Sequence, residues 1–372
     1  MSTSIRVMIA PGRYVQGRGA IYEIGEHVSL LGDNVLVVGG KTGLAVTREG
    51  RNKSFAEKGI HQIEEFFHGE CSDHEINRVM EIAGKEKSNV IMASGGGKVM
   101  DTVKAVAAEL KIPAVIVPTV ASTDAPCSAL TVIHDEHGVF LRLFILPRNP
   151  ALVLVDTEII AKAPVRLLVA GMGDALATWF EADACTRSCA LNLSGGQQTA
   201  AAVVLARLCF DLLMEYGLQA KIACEQKVIT PALEKVVEAN ILLSGIGFES
   251  GGVAAAHSLQ DGFSILEELH AYYHGEKVAF LTLVQLILEE SSKETLQQVF
   301  NFGHKLGLPI TLADLGIDKV GSDRLMEAVK ASCLPGKIIY NHAFPITDEM
   351  VFDAVITANT MGMRVKAGQP VV

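Results

Sequence analysis

The chain has 372 residues, 49% hydrophobic and 20% charged, which suits about two globular domains and is too apolar for extended disorder. A formal net charge of −10, with no Lys/Arg run longer than two, argues against nucleic acid and leaves a small polar molecule as the expected partner. Seven scattered cysteines do not form the framework of a disulfide-stapled secreted domain.

Residues 1–12 carry no apolar core long enough for a signal peptide, so a cytoplasmic location is expected. Strands are expected at Asn34–Gly39, more weakly at His61–Phe67, and at Asn89–Ala93, Ile112–Val117 and Leu152–Val155. Between them lie helical patterns, among them Asp73–Glu86, capped by Ser72 or Asp73, and Asp101–Leu110. Strand–helix–strand repetition implies a parallel sheet. Gly95-Gly96-Gly97-Lys98 falls between a strand and a helix. Glycines there let a backbone approach a pyrophosphate while the helix N-terminus offers free N–H groups; the alternative is a tight turn. The hydroxyl-rich loop from Thr119 to Leu130 also follows a strand, where open α/β sheets place their ligand crevice. Thr119, Ser122 and Ser128 are candidate donors and Asp124 a candidate acceptor for a substrate hydroxyl, with an Asx or Ser/Thr turn as the alternative.

Past Ala163-Pro164 the pattern turns helical: Val165–Ala190, Gly196–Gly217, Thr230–Gly247, Gly275–Glu290 and Ser322–Ala331. An α/β dinucleotide-binding domain over 1–163 and an all-helical metal-binding domain over 164–372 are therefore expected, with the active site in the cleft between them. Thr199–Met214, broken by Arg207 and Asp211, is shorter than the roughly 20 residues of a membrane span and reads as a buried amphipathic helix. Cys185 and Cys189, four apart on one helix face, read as buried small hydrophobes.

Asp174, His257 and His274 stand in glycine-rich or helix-opening segments and read as one divalent-cation site. An Asp/His/His set leaves a coordination position open, as catalytic zinc requires, and also suits Fe²⁺. Asp174 could instead cap its helix, and His257 could be a hydrogen-bonded core residue. Spacing does not separate His270 from His274. Glu249, Asp261, Glu267 and Glu268 read as caps or solvated positions.

The chain resembles the glycerol dehydrogenases of the iron-type alcohol dehydrogenase and dehydroquinate synthase-like superfamily. The resemblance runs through Pro11–Gly17, Gly95–Lys98, Pro118-Thr119 with Ala121–Leu130, Gly173–Glu181, Gly247–Gly252 leading to Ala254–His257, and Tyr273–Phe280. It implies the family's two-domain fold, and a metal on Asp174, His257 and His274. It implies NAD on the Gly95–Lys98 loop and on Thr119, Ser122, Ser128 and Leu130; Asp101, where the following helix opens, is counted with them. Asp124 is placed beside a polyol. The implied activity is reversible oxidation of glycerol, or a related vicinal diol, to a hydroxyketone such as dihydroxyacetone, by an enzyme that is often an octamer or other large homo-oligomer. Iron-type members carry a His one turn after the Asp; here Thr178 favours zinc. Gly39-Gly40-Lys41 lacks the carboxylate that grips an adenine ribose, so NADP stays open beside NAD. Two rival readings are a lyase of the dehydroquinate synthase type and a non-enzymatic NAD-binding protein. The lyase needs cations around a phosphate, and Ser122–Leu130 has none; the binding protein would not need three metal ligands. The choice among glycerol, 1,2-propanediol and 2,3-butanediol stays open.

Overall fold

The computed structural model describes residues 5–371; residues 1–4, part of the stretch read for a signal peptide, and residue 372 lie outside the described residues. Two compact units emerge. One holds Ile9–Leu168 and Ile222–Gly245; the other holds the described N-terminal residues up to Met8, Val169–Lys221 and the chain from Ile246 onward. The single cut expected at 163 is thus replaced by interleaved segments, because a helical stretch around residue 230 packs with the α/β unit.

In the α/β unit the strands are β1 (Tyr14–Gly17), β2 (Asn34–Gly39), β3 (His61–Phe66), β4 (Val90–Gly95), β5 (Ala114–Pro118), β6 (Leu130–His134), β7 (Phe140–Ile145) and β8 (Leu152–Asp156). The helices are α1 (Ile24–Val28), α2 (Lys41–Lys58), α3 (Asp73–Lys85), α4 (Gly97–Leu110) and α5 (Thr157–Lys162). Six strands form a parallel sheet in the order β1-β8-β5-β4-β2-β3. The central strands β4, β5 and β8 are buried throughout, which is why they read as unbroken apolar runs. β3 is the weak signal because it is an edge strand, with polar residues such as Gln62, Glu64 and Glu65. Ser72 is the cap of α3, accepting from Glu75 N–H at 3.2 Å.

Two local expectations change. The glycine loop is a sharp turn: Gly95 ends β4, Gly96 is the N-cap, and α4 begins at Gly97, four residues before the expected Asp101. The antiparallel ribbon of β6 and β7 was not foreseen. Its turn carried a signal, since the Asp135 carboxylate accepts from His137 and Val139 N–H and Gly138 sits at φ 84°.

The later helices are α6 (Val165–Ser188), α7 (Ala200–Glu225), α8 (Pro231–Glu238), α9 (Ser244–Gly251), α10 (Ala255–Phe263), α11 (His274–Leu288), α12 (Lys293–Leu306), α13 (Ser322–Ser332) and α14 (Asp348–Lys366). A π-turn at Ala239–Leu243 joins α8 to α9. Among the described residues no helix is long and apolar enough to cross a membrane. The stretch within α7 buries Ala202, Ala206, Cys209, Phe210 and Leu213 and exposes Val204 and Leu208, so it is amphipathic but not wholly buried. All seven cysteines are free, and Cys189 is exposed rather than buried, because α6 ends at Ser188 and Cys189 turns to φ 57°.

Candidate functional site

Two groups of the expected residues assemble, one in each unit. In the α/β unit β2 leads outward to β3, whereas β4 leads the other way to β5. The chain direction therefore reverses between β2 and β4, the switch point at whose carboxyl end open sheets bind ligands. Register aligns Gly39 with Ser94 and Gly95 with Pro118, so the turns after β2, β4 and β5 lie side by side. Thr119 N–H donates to Gly95 O at 3.1 Å. Ser94 Oγ donates to Gly43 O at 2.9 Å and meets Thr47 Oγ1 at 2.8 Å; buried Arg51 donates to Thr47 Oγ1 at 3.1 Å. A Cβ on Gly43 would stand 2.2 Å from Ser94 O, so the β2 and β4 turns are in backbone contact.

Gly96 and Gly97 differ from Gly43. Neither has positive φ, and the nearest atoms to an added Cβ lie 3.8 and 4.0 Å away. Neither conformation nor internal packing demands glycine there, and neither residue puts a side chain over the first turn of α4. Lys98 is exposed and ion-paired with Glu70.

Asp101, Ser128 and Leu130 converge on a cation that the sequence did not single out, the buried Lys104. Its Nζ reaches Asp101 Oδ1 at 3.0 Å, Ala125 O at 3.0 Å and Ser128 Oγ at 3.3 Å, and also the Leu130 carbonyl. Asp101 Oδ2 accepts from Val132 N–H at 3.0 Å. These bonds give Asp101 and the Ser128 hydroxyl a structural part: they fasten the 124–130 loop and the ribbon to α4. Ser122 is half-buried on the same loop. Asp124 is buried, and its Oδ2 accepts from Ser244 Oγ at 2.9 Å. Asn240, in the π-turn, donates to Ala121 O at 3.0 Å and Leu168 O at 3.1 Å. Nothing in the side-chain pattern announces the π-turn that carries Asn240 and ends at Ser244.

In the helical unit, Asp174 on α6, His257 on α10 and His274 at the start of α11 present ligand atoms that all lie within 4.8 Å of one another. His274 Nε2 is 3.1 Å and His257 Nε2 3.6 Å from Asp174 Oδ1. Neither approach has hydrogen-bond geometry, and both Asp174 carboxylate oxygens are buried without a hydrogen-bond partner. Orphaned carboxylate oxygens between two ring nitrogens fit a cation. Two glycines permit this closeness. A Cβ on Gly275 would stand 1.9 Å from Ala170 O, and one on Gly173 2.3 Å from Gly275 O. His270 instead meets Ser264 O at 3.2 Å, Asp261 pairs with Lys337 and Glu268 with Arg324, so His274 is the histidine of the cluster.

Glu181 was missed as a separate site residue. It is fully buried, and its Oε2 lies 2.5 Å from His257 Nδ1. Burial opposes protonation of His257, but Glu181 and then Asp174 outweigh it and hold its pKa well above the ordinary imidazole value. Burial likewise opposes ionisation of Asp174, and the two imidazoles, His274 foremost, hold the carboxyl below its usual range. At position 178, a Cβ on Gly247 would stand 2.4 Å from Thr178 Cγ2, so this methyl packs against the α9 backbone.

A sequence model described as iron-containing alcohol dehydrogenase matches residues 11–157. The chain is 49% identical to the glycerol dehydrogenase of Thermotoga maritima over 359 residues, 96% of this chain and 98% of the relative. The chain belongs to the iron-containing alcohol dehydrogenase family. It is 42% identical to a glycolaldehyde reductase of Halobacterium salinarum over 360 residues, 97% of this chain and 99% of the relative. A crystal structure of a probable glycerol dehydrogenase from Sinorhizobium meliloti 1021 matches it with a TM-score of 0.91 at 41% identity, covering 96% of this chain and 99% of that one. The expected fold class, a parallel α/β domain with a helical C-terminal region, is that of this family. Membership makes the chain an oxidoreductase, which removes the lyase and the non-enzymatic readings.

Proposed function

We propose that this enzyme is a zinc-dependent dehydrogenase that oxidises glycerol, or a related vicinal diol, to the hydroxyketone with NAD as acceptor. The observation that carries the reading is the Asp174, His257 and His274 cluster with both carboxylate oxygens orphaned. Identity of 49% to a glycerol dehydrogenase and of 42% to a glycolaldehyde reductase supports a small hydroxy compound as the substrate class. Three side-chain ligands with Thr178 in the next turn favour zinc over iron.

A cation bound there would supply polarisation of a hydroxyl oxygen and a lowered pKa, and a nicotinamide would supply the hydride acceptor. Asp174, His257 and His274 would hold the cation. Asp124 accepts from a second substrate hydroxyl, and Ser244 orients its carboxylate. Gly96, Gly97 and the α4 N-terminus receive the pyrophosphate. No acidic residue stands in Gly39-Gly40-Lys41 to reject a 2′-phosphate, so NADP is rejected less strongly than by a carboxylate-bearing site. Hydride transfer needs donor and acceptor within about 3–3.5 Å. Assembly into a homo-oligomer belongs to this proposal.

Chelator-stripped protein, reloaded with zinc or with iron(II), is the test. Zinc is expected to restore NADH formation from glycerol and 1,2-propanediol. Full activity in stripped protein, or restoration by iron alone, would overturn the reading.

A further inference from the structure

We infer that Glu181 is the positioning residue that makes His257 a metal ligand, by deciding which of its ring nitrogens is bare. The inference rests on the cation site proposed above. Glu181 lies on α6, two turns beyond Asp174, and is wholly buried. Its Oε1 accepts from the backbone N–H groups of Ala254 at 2.8 Å and His257 at 3.0 Å. Its Oε2 meets His257 Nδ1 at 2.5 Å. α10 has no cap of its own, since its N-cap is Ala254, at φ −141° and ψ −124°. A side chain from another helix therefore supplies the missing acceptor.

Three donors converge on this carboxylate, so both of its oxygens must accept. Nδ1 is then the protonated nitrogen, and Nε2 turns its lone pair toward Asp174 and His274. One helix thus carries a ligand and, one face-repeat later, the group that sets the tautomer of another.

An amide separates this role from capping. In Glu181→Gln the amide oxygen can stay on the two backbone N–H groups, which keeps α10 capped. The NH₂ then donates to Nδ1, and the proton moves to Nε2, where it blocks the cation. We expect E181Q to melt close to the unsubstituted protein when both are metal-free. Its zinc affinity, measured by competition with a chromophoric chelator, should fall roughly 10–100-fold. Unchanged zinc affinity in E181Q overturns the inference, as does a fall in metal-free melting temperature with affinity retained, which is the signature of a cap alone. Should E181Q not fold, Glu181→Asp decides: the withdrawn carboxylate should weaken zinc, and full affinity refutes the role. Unsubstituted protein that fails to bind zinc sinks the cation site itself, not the assignment of Glu181.

Discussion

His257 is held between two carboxylates, and that placement makes a proton the natural competitor of the cation. In metal-free protein the raised pKa keeps the ring charged to higher pH than an ordinary imidazole, and loading must expel that proton. Below the raised pKa, zinc affinity should therefore rise about tenfold per pH unit, and the plateau should begin above the ordinary value of about 6.5. Chelator competition across pH checks this; a plateau already reached below pH 6 would contradict it. Asp124 makes a second test. Asp124→Asn keeps an oxygen for Ser244 Oγ but loses charge toward a polyol, so the KM for glycerol should rise several-fold more than the KM for NAD. An unchanged glycerol KM removes Asp124 from the substrate. At this scale the convergence of Asp174, His257 and His274 was legible because each interrupts an apolar or glycine-rich run. Lys104 and Glu181 were not, because a buried Lys or Glu on a helix looks like any solvated one until its partners are known.

Among the elements, the α6–α11 crossing is the most exacting. Gly275 has no room for a methyl group against Ala170 O, so Gly275→Ala must pry His274 away from Asp174. Overpacking of this kind costs about 1–3 kcal/mol, and zinc affinity should drop together with the melting temperature. Wild-type affinity in the variant would show that the crossing does not set the site. Strands β2, β4, β5 and β8 were readable from apolar runs bounded by Gly and Pro, and β3 less so because an edge tolerates Gln and Glu. The α4 start was misplaced because a glycine turn and a helical first turn have the same composition. The β6–β7 ribbon escaped because the loop before it drew the reading toward hydroxyl chemistry, although Asp135 and Gly138 mark its turn.

For the molecule as a whole, the three proposed cation ligands come from α6, α10 and α11, so loading would tie together helices distant in sequence. Zinc at a hundredfold excess over its Kd should stabilise the protein by about 2.7 kcal/mol, and chelation should lower the melting temperature accordingly. Equal melting with and without chelator would show that these helices hold without the ion. The interleaving of the two units follows from the segment 222–245, whose return to the α/β unit no composition shift marks.

Of the seven thiols, six are buried and Cys189 alone is open to solvent. A disulfide reagent should thus titrate one equivalent in the native protein and all seven after denaturation. That difference turns sulfur into a built-in counter of opening. It needs no engineered label, and a fluorophore on Cys189 would sit at the very end of the helix that bears Asp174.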